Sequence, residues 1–274
     1  GFCILISLLL FSKIYYMLYF GGGNMPKEPK IRTVLKAKPP YQLNRFPKSF
    51  FNKLGKELVY LVATRSTLTL EGADWEQIFA LCIGAEWKPS NVGLDDIVLN
   101  NCCWGAKTVK ANSNNIFAQK RVRLISGRNS PAYSYESVDF LTKPPSEIGE
   151  MVLRIWNERV SGVRQVYKFV RTIVLIKSKD FKQFILFETE TYRYNPDEYT
   201  WRRNSRGNLE GYDNSGKHIF TWQPHGSQFT IIEDIPDDAV LFEVKHPQPL
   251  LKDDIIKALG YSSEWLTIVD KQGI

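Results

Sequence analysis

Gly93 to Lys110, GLDDIVLNNCCWGAKTVK, is the stretch whose reading decides the fold. Ile97, Val98 and Leu99 are strand formers, Asn100-Asn101 is turn chemistry, and Cys102 to Val109 is a second extended run. A two-residue turn at Asn100-Asn101 sets Leu99 against Cys102, Ile97 against Trp104, Asp96 against Gly105 and Asp95 against Ala106. Side chains alternate along a strand, so Lys107 shares a face with Gly105 and therefore with Asp96. An acid and a lysine thus meet at the hairpin end remote from the turn. A register slip of one residue exchanges Asp96 for Asp95.

An Asp beside a Lys at a strand end reads either as a surface ion pair or as a site. The setting favours a site: the acid precedes an apolar strand, the lysine lies inside the next strand, and an amphipathic helix comes just before. On these residues the chain resembles the PD-(D/E)xK nuclease superfamily, type II restriction endonucleases in particular. In that superfamily an Asp opens one core strand, a (D/E)-x-Lys motif lies on the adjoining strand, and a Glu often sits on the preceding helix. The resemblance spans about residues 72 to 135. It implies Asp96 (or Asp95), Lys107 and Glu76 as catalytic residues, with Mg²⁺ held by Asp96 and Glu76. Gly105 stands in the second acid slot, so either another acid replaces it or the site is degenerate. A homodimer on a palindromic DNA site and a partner DNA methyltransferase are further implications of the resemblance.

A literal PD…ExK also occurs at Pro236-Asp237-Asp238 and Glu243-Val244-Lys245. Four residues between Asp238 and Glu243 leave no room for a strand, a turn and a partner strand. On one strand those acids stand about 17 Å apart on opposite faces, too far to share a metal.

The 274 residues carry a formal net charge of +7, and their 43% hydrophobic content is ordinary for a globular protein. The charge is unevenly spread. From Ile97 to Tyr135 there is no Asp or Glu, yet Lys107, Lys110, Lys120, Arg121, Arg123 and Arg128 all fall there. Such a field suits a polyphosphate, and double-stranded DNA presents phosphate densely. The loop from Arg128 and Asn129 to Ser134 carries groups that read base edges and phosphates. So do two hairpin tips holding Arg203, Asn204, Gln223 and Gln228. The bland reading of those tips is polar turns with structural tryptophans. The four cysteines have no CxxC spacing, and His218, His225 and His246 have no metal-ligand spacing. Reduced cysteines fit a cytoplasmic setting. P-loop, GxGxxG, GxSxG and HExxH signatures are absent, which removes the usual nucleotide-hydrolysing and acyl-transfer classes.

Residues 1–24 are expected to be a non-native leader ahead of a natural start at Met25, with a membrane anchor as the alternative. A basic arm follows to Tyr41. Helices are expected over 47–64, 73–84, 146–160 and 252–259. Strands are expected over 119–126, 166–176, 181–188, 199–202, 218–222, 229–232 and 240–244. The predicted fold is α/β: a mixed-sheet nuclease core over 25–190, flanked by helices, and a β-rich DNA-recognition extension over 191–274 packed on it. The expected activity is Mg²⁺-dependent, sequence-specific cleavage of double-stranded DNA. Its rivals are a non-catalytic DNA-binding protein on a degenerate nuclease core and an RNA-binding or RNA-processing protein.

Overall fold

The computed structural model describes residues 37–269 apart from 91, 137 and 138. The expected leader and most of the basic arm therefore lie outside the described residues. In chain order come α1 (Phe50–Thr64), α2 (Gly72–Ile83), β1 (Glu86–Trp87), β2 (Ile97–Leu99), β3 (Cys102–Lys110) and β4 (Arg121–Arg128). Next are α3 (Pro131–Ser134), α4 (Pro145–Val166), β5 (Phe169–Lys177), β6 (Gln183–Glu190), β7 (Tyr199–Arg203), β8 (Leu209–Asp213) and β9 (His218–Gln223). The chain closes with β10 (Gln228–Asp234), β11 (Val240–Glu243) and α5 (Lys252–Ala258). The architecture is mixed α/β with two sheets. Among the described residues no helix is long and apolar enough to cross a membrane.

The first sheet has the order β1-β2-β3-β5-β6-β11. The β2–β3 hairpin pairs Leu99 with Cys102 and Ile97 with Trp104, and Asn100 takes the left-handed conformation that its tight turn needs. The next strand beside β3 is β5, which runs parallel to it and sets Lys107 level with Val174. A parallel neighbour needs a long crossover, and α4 belongs to it. This helix begins with Pro at its first position and buries Ile148, Val152, Trp156, Val160 and Val163. It runs to Val166, beyond the expected end at 160, which pushes the start of β5 to Phe169.

Alternation along β3 divides two cores. Cys102, Trp104 and Ala106 face α1 and α2, joining Phe50, Leu54, Leu58, Trp75 and Phe79. Cys103 faces the α4 side with Leu94, Trp156, Trp201 and Trp222. The α2 termini follow from sequence: Glu71 and Asp74 form a capping box, and Gly84 ends the helix with φ 71°.

The second sheet is antiparallel, β4-β10-β9-β8-β7. Its inner face closes on α4, and so tightly that a Cβ at Gly149 would lie 2.2 Å from the Trp201 ring. The division expected at residue 190 is not where the sheets divide. β4, from within the expected core, pairs with β10, and β11, from the expected extension, pairs with β6. Two strands, β1 and β8, lay outside the predicted set. The loop expected at 128–134 contains the single-turn helix α3, whose N-cap Ser130 accepts a bond from Tyr133 N.

Candidate active site

The site is built on the segment that leads into β2. Asp96 O accepts from Lys88 N at 2.7 Å, which starts the strand one residue ahead of its sheet pairing. Ser90 then gathers both acids: its backbone N–H donates to Asp96 Oδ1 at 2.9 Å and its hydroxyl donates to Asp95 Oδ1. The same hydroxyl accepts from Gly93 N at 3.1 Å. Asp96 is only 6% exposed, and its Oδ2 has no hydrogen-bond partner among the described residues.

One step beyond the Ile97–Trp104 pair, Asp96 stands opposite Gly105. The missing acid at that position has a physical cause. A Cβ on Gly105 would come within 2.8 Å of the Gly93 carbonyl oxygen and 3.2 Å of Leu94 Cα. The incoming loop therefore fills the space that an acidic side chain would need, and its carbonyl oxygen lies there instead.

Lys107 lies two residues further along the same face, half-buried, and it lines a small cavity of about 20 Å³ together with Thr172, Thr189 and Glu233. That is room for about one water. Burial holds the lysine below its ordinary pKa, with Arg159 adding repulsion against the attraction of Asp96 and Glu76. No ion pair within 4.0 Å joins Asp96 to Lys107, so the two groups share a field rather than a contact. Glu76, on α2, is pushed up by burial, held down by the bond it accepts from Trp87 Nε1 at 3.0 Å, and raised again by Asp96. Among the described residues no three His, Cys, Asp or Glu side chains converge on one metal position.

Arg159 is the residue that sequence reasoning missed. From the middle of α4 its guanidinium donates to Ser126 O at 2.8 Å, to Asn129 Oδ1 at 3.1 Å and to Val92 O. It thereby ties the acid-bearing loop to the end of β4. Gly127 is its sequence signal: a Cβ there would lie 2.7 Å from Arg159 Nη1, and the φ of 115° suits glycine.

The residues expected to touch DNA separate into three groups. Lys110 and Lys120 are exposed near the ends of β3 and β4. Alternation in the second sheet puts Arg121 and Arg123 on its outer face, and a bulge in β4 between Ile125 and Gly127 brings Arg128 to the same face, where Arg128, Gln228 and Gln223 form a row across β4, β10 and β9. Arg123 is exposed and donates to Thr221 Oγ1 at 2.9 Å, whereas Arg121 is paired with Asp234 at 3.0 Å. Arg202 lies on the same face, its guanidinium 4.1 Å above the Tyr212 ring. Asn129 needs correction. Asn129 is fully buried and donates to Val152 O, so it cannot reach a base edge. Asn204 closes its own turn, its Oδ1 accepting from Arg206 N and Asn208 N. Arg203, exposed at the end of β7, donates to Gly207 O at 3.3 Å. His218 and His246 bond to the Phe220 and Phe181 carbonyls.

No protein-family model, curated protein or solved structure matches this chain.

Proposed function

We propose that this chain cleaves double-stranded DNA by hydrolysing a phosphodiester beside Asp96 and Lys107, and that it selects its site by sequence. One observation carries the reading: the hairpin register sets a buried carboxylate and a desolvated lysine on one face of adjoining strands. Acid-free β4 follows at once with its outward arginines.

The donor set fits Mg²⁺ in a limited way. This ion is commonly held by one or two carboxylates and completed by water and substrate phosphate rather than by an all-protein cage. Asp96 Oδ2 is the available ligand atom, and Glu76, on α2, feels its charge. When bound there, the metal would polarise the phosphate and offset the charge that develops in the transition state. The chain's own groups do the rest. Ser90 fixes the Asp96 carboxylate, so that its orientation is set before substrate arrives. Lys107, with its pKa lowered by burial, holds the attacking water and gives up a proton more readily than an exposed lysine. Arg123, Arg128 and Lys110 offer cations to the DNA backbone.

A second reading, DNA binding without cleavage, is favoured by the loop that occupies the acid position at Gly105. Incubating the protein with phage-length duplex DNA in Mg²⁺, with a chelator control, decides between them. Discrete fragments that vanish with chelator support cleavage. A retarded but intact duplex supports binding alone, and cutting of RNA but not DNA rejects both.

A further inference from the structure

Among the described residues four arginines are not exposed: Arg121, Arg159, Arg164 and Arg171. Three of them face an acid, Arg121 with Asp234, Arg164 with Glu190 and Arg171 with Glu188. Arg159, in the middle of α4, has no such ion pair among the described residues. Its guanidinium donates only to neutral acceptors, Ser126 O, Asn129 Oδ1 and Val92 O, and lies 5.4 Å from the centre of the Trp156 ring. Burial opposes this charge, and Asp96 is the group that favours it. Apolar packing would hold the scaffold at less cost than a half-buried cation without an acid.

The two ends of this bridge differ in role. Val92 follows Ser90 by two residues, and Ser90 holds both Asp95 and Asp96. Ser126 and Asn129 bracket Arg128, the outward cation at the end of β4. Asn129 is itself fixed from three sides: its amide donates to Val152 O, its backbone N–H donates to Ser227 O, and its carbonyl accepts from Trp222 Nε1. One guanidinium therefore spans from the strand end that offers a cation to DNA to the loop that carries the acids. A guanidinium suits the task, because its donors form a rigid planar fork that holds separate acceptors at a set spacing.

We infer that Arg159 is a positioning residue that sets the distance between the DNA-gripping end of β4 and the Asp96 loop, and so decides which phosphate of a gripped duplex reaches Asp96 and Lys107. This role presupposes the proposed cleavage of duplex DNA, and it belongs to a side chain that touches neither the metal position nor the DNA. A displacement of about 1 Å costs on the order of 100-fold in rate. The tie is therefore read in the cutting step and in the place of the cut, while binding is left as it was.

Single-turnover cleavage of duplex DNA in Mg²⁺ by the full chain, with the cut phosphates mapped and binding measured in Ca²⁺, tests it. Arg159→Lys keeps the charge and loses the fork. Gly127→Ala keeps the arginine and sets a methyl group 2.7 Å from Arg159 Nη1, so the guanidinium must move. Both variants should match the parent's circular dichroism spectrum and its affinity for duplex. Both should cut on the order of 100-fold more slowly, with the remaining cuts spread over neighbouring phosphates. Parent-like cutting in both variants would overturn the inference and leave the catalytic reading intact. So would slower cutting confined to the parent's phosphates, or a loss of binding that matches the loss of cutting. A parent that binds duplex and never cuts it would instead remove the catalytic reading, and this role of Arg159 with it.

Discussion

Gly105 is where the site departs most from the pattern it resembles, and its surroundings give the reason. Restoring the acid with Gly105→Asp should not raise cleavage, because the new side chain must displace the Gly93–Leu94 backbone. Overpacking of this kind costs about 1–3 kcal/mol, read as a lowered urea midpoint with the cleavage rate no higher. Asn129 makes the complementary case. Its amide bridges Val152 O and the Arg159 guanidinium in the interior. Asn129→Ala should lower stability by about 1–3 kcal/mol through the unsatisfied groups it leaves, while the folded fraction binds DNA as before. Loss of sequence discrimination without loss of stability would return Asn129 to the interface.

At the scale of elements, α4 is held between the sheets by Gly149, against which the Trp201 ring lies. Gly149→Ala should therefore cost at least the upper end of the ~1–3 kcal/mol range for overpacking, and a neutral effect would mean that the second sheet does not close on α4. The end of β5 offers a pH test. Lys177 is buried, donates to Leu70 O at 2.9 Å and to Thr108 Oγ1 at 2.6 Å, and burial pushes its pKa from 10.5 down to about 8. Between those values the unfolded chain binds more proton than the folded one, so this lysine's contribution becomes more favourable as pH rises. Its cost is fully present below about pH 8 and fades towards pH 10.5. Unfolding by urea at both ends of that window should show the parent gaining on Lys177→Met. A constant difference would place the ammonium in water. Local patterns carried much of the fold: the Leu99–Cys102 register follows from the Asn100-Asn101 turn, and α1 and α2 from their apolar stripes. The exchange of β4 and β11 between sheets is a matter of long-range pairing, which no local period encodes. The filled slot at Gly105 and the buried Asn129 escaped for a related reason, since both depend on segments distant in sequence or on packing across elements.

For the whole molecule, the outer face of the second sheet is the surface that should meet the DNA backbone. Arg123→Ala and Arg128→Ala should each lower the slope of log affinity against log salt by about 0.9. Arg121→Ala should change it less, because its guanidinium is already paired with Asp234. Slopes unchanged by all three would turn this face back to solvent.

Single-turnover cleavage in Mg²⁺, set beside binding in Ca²⁺, tests the central claim most directly. Asp96→Asn preserves shape and removes the charge, so cutting should vanish while binding survives or tightens. Lys107→Ala should likewise bind without cutting. Asp95→Asn, whose side chain is held by the Ser90 hydroxyl and by alternation points away from the Lys107 face, should cut at a reduced rate. If Asp96→Asn and Lys107→Ala both cut duplex DNA like the parent, the chemistry is not at this hairpin.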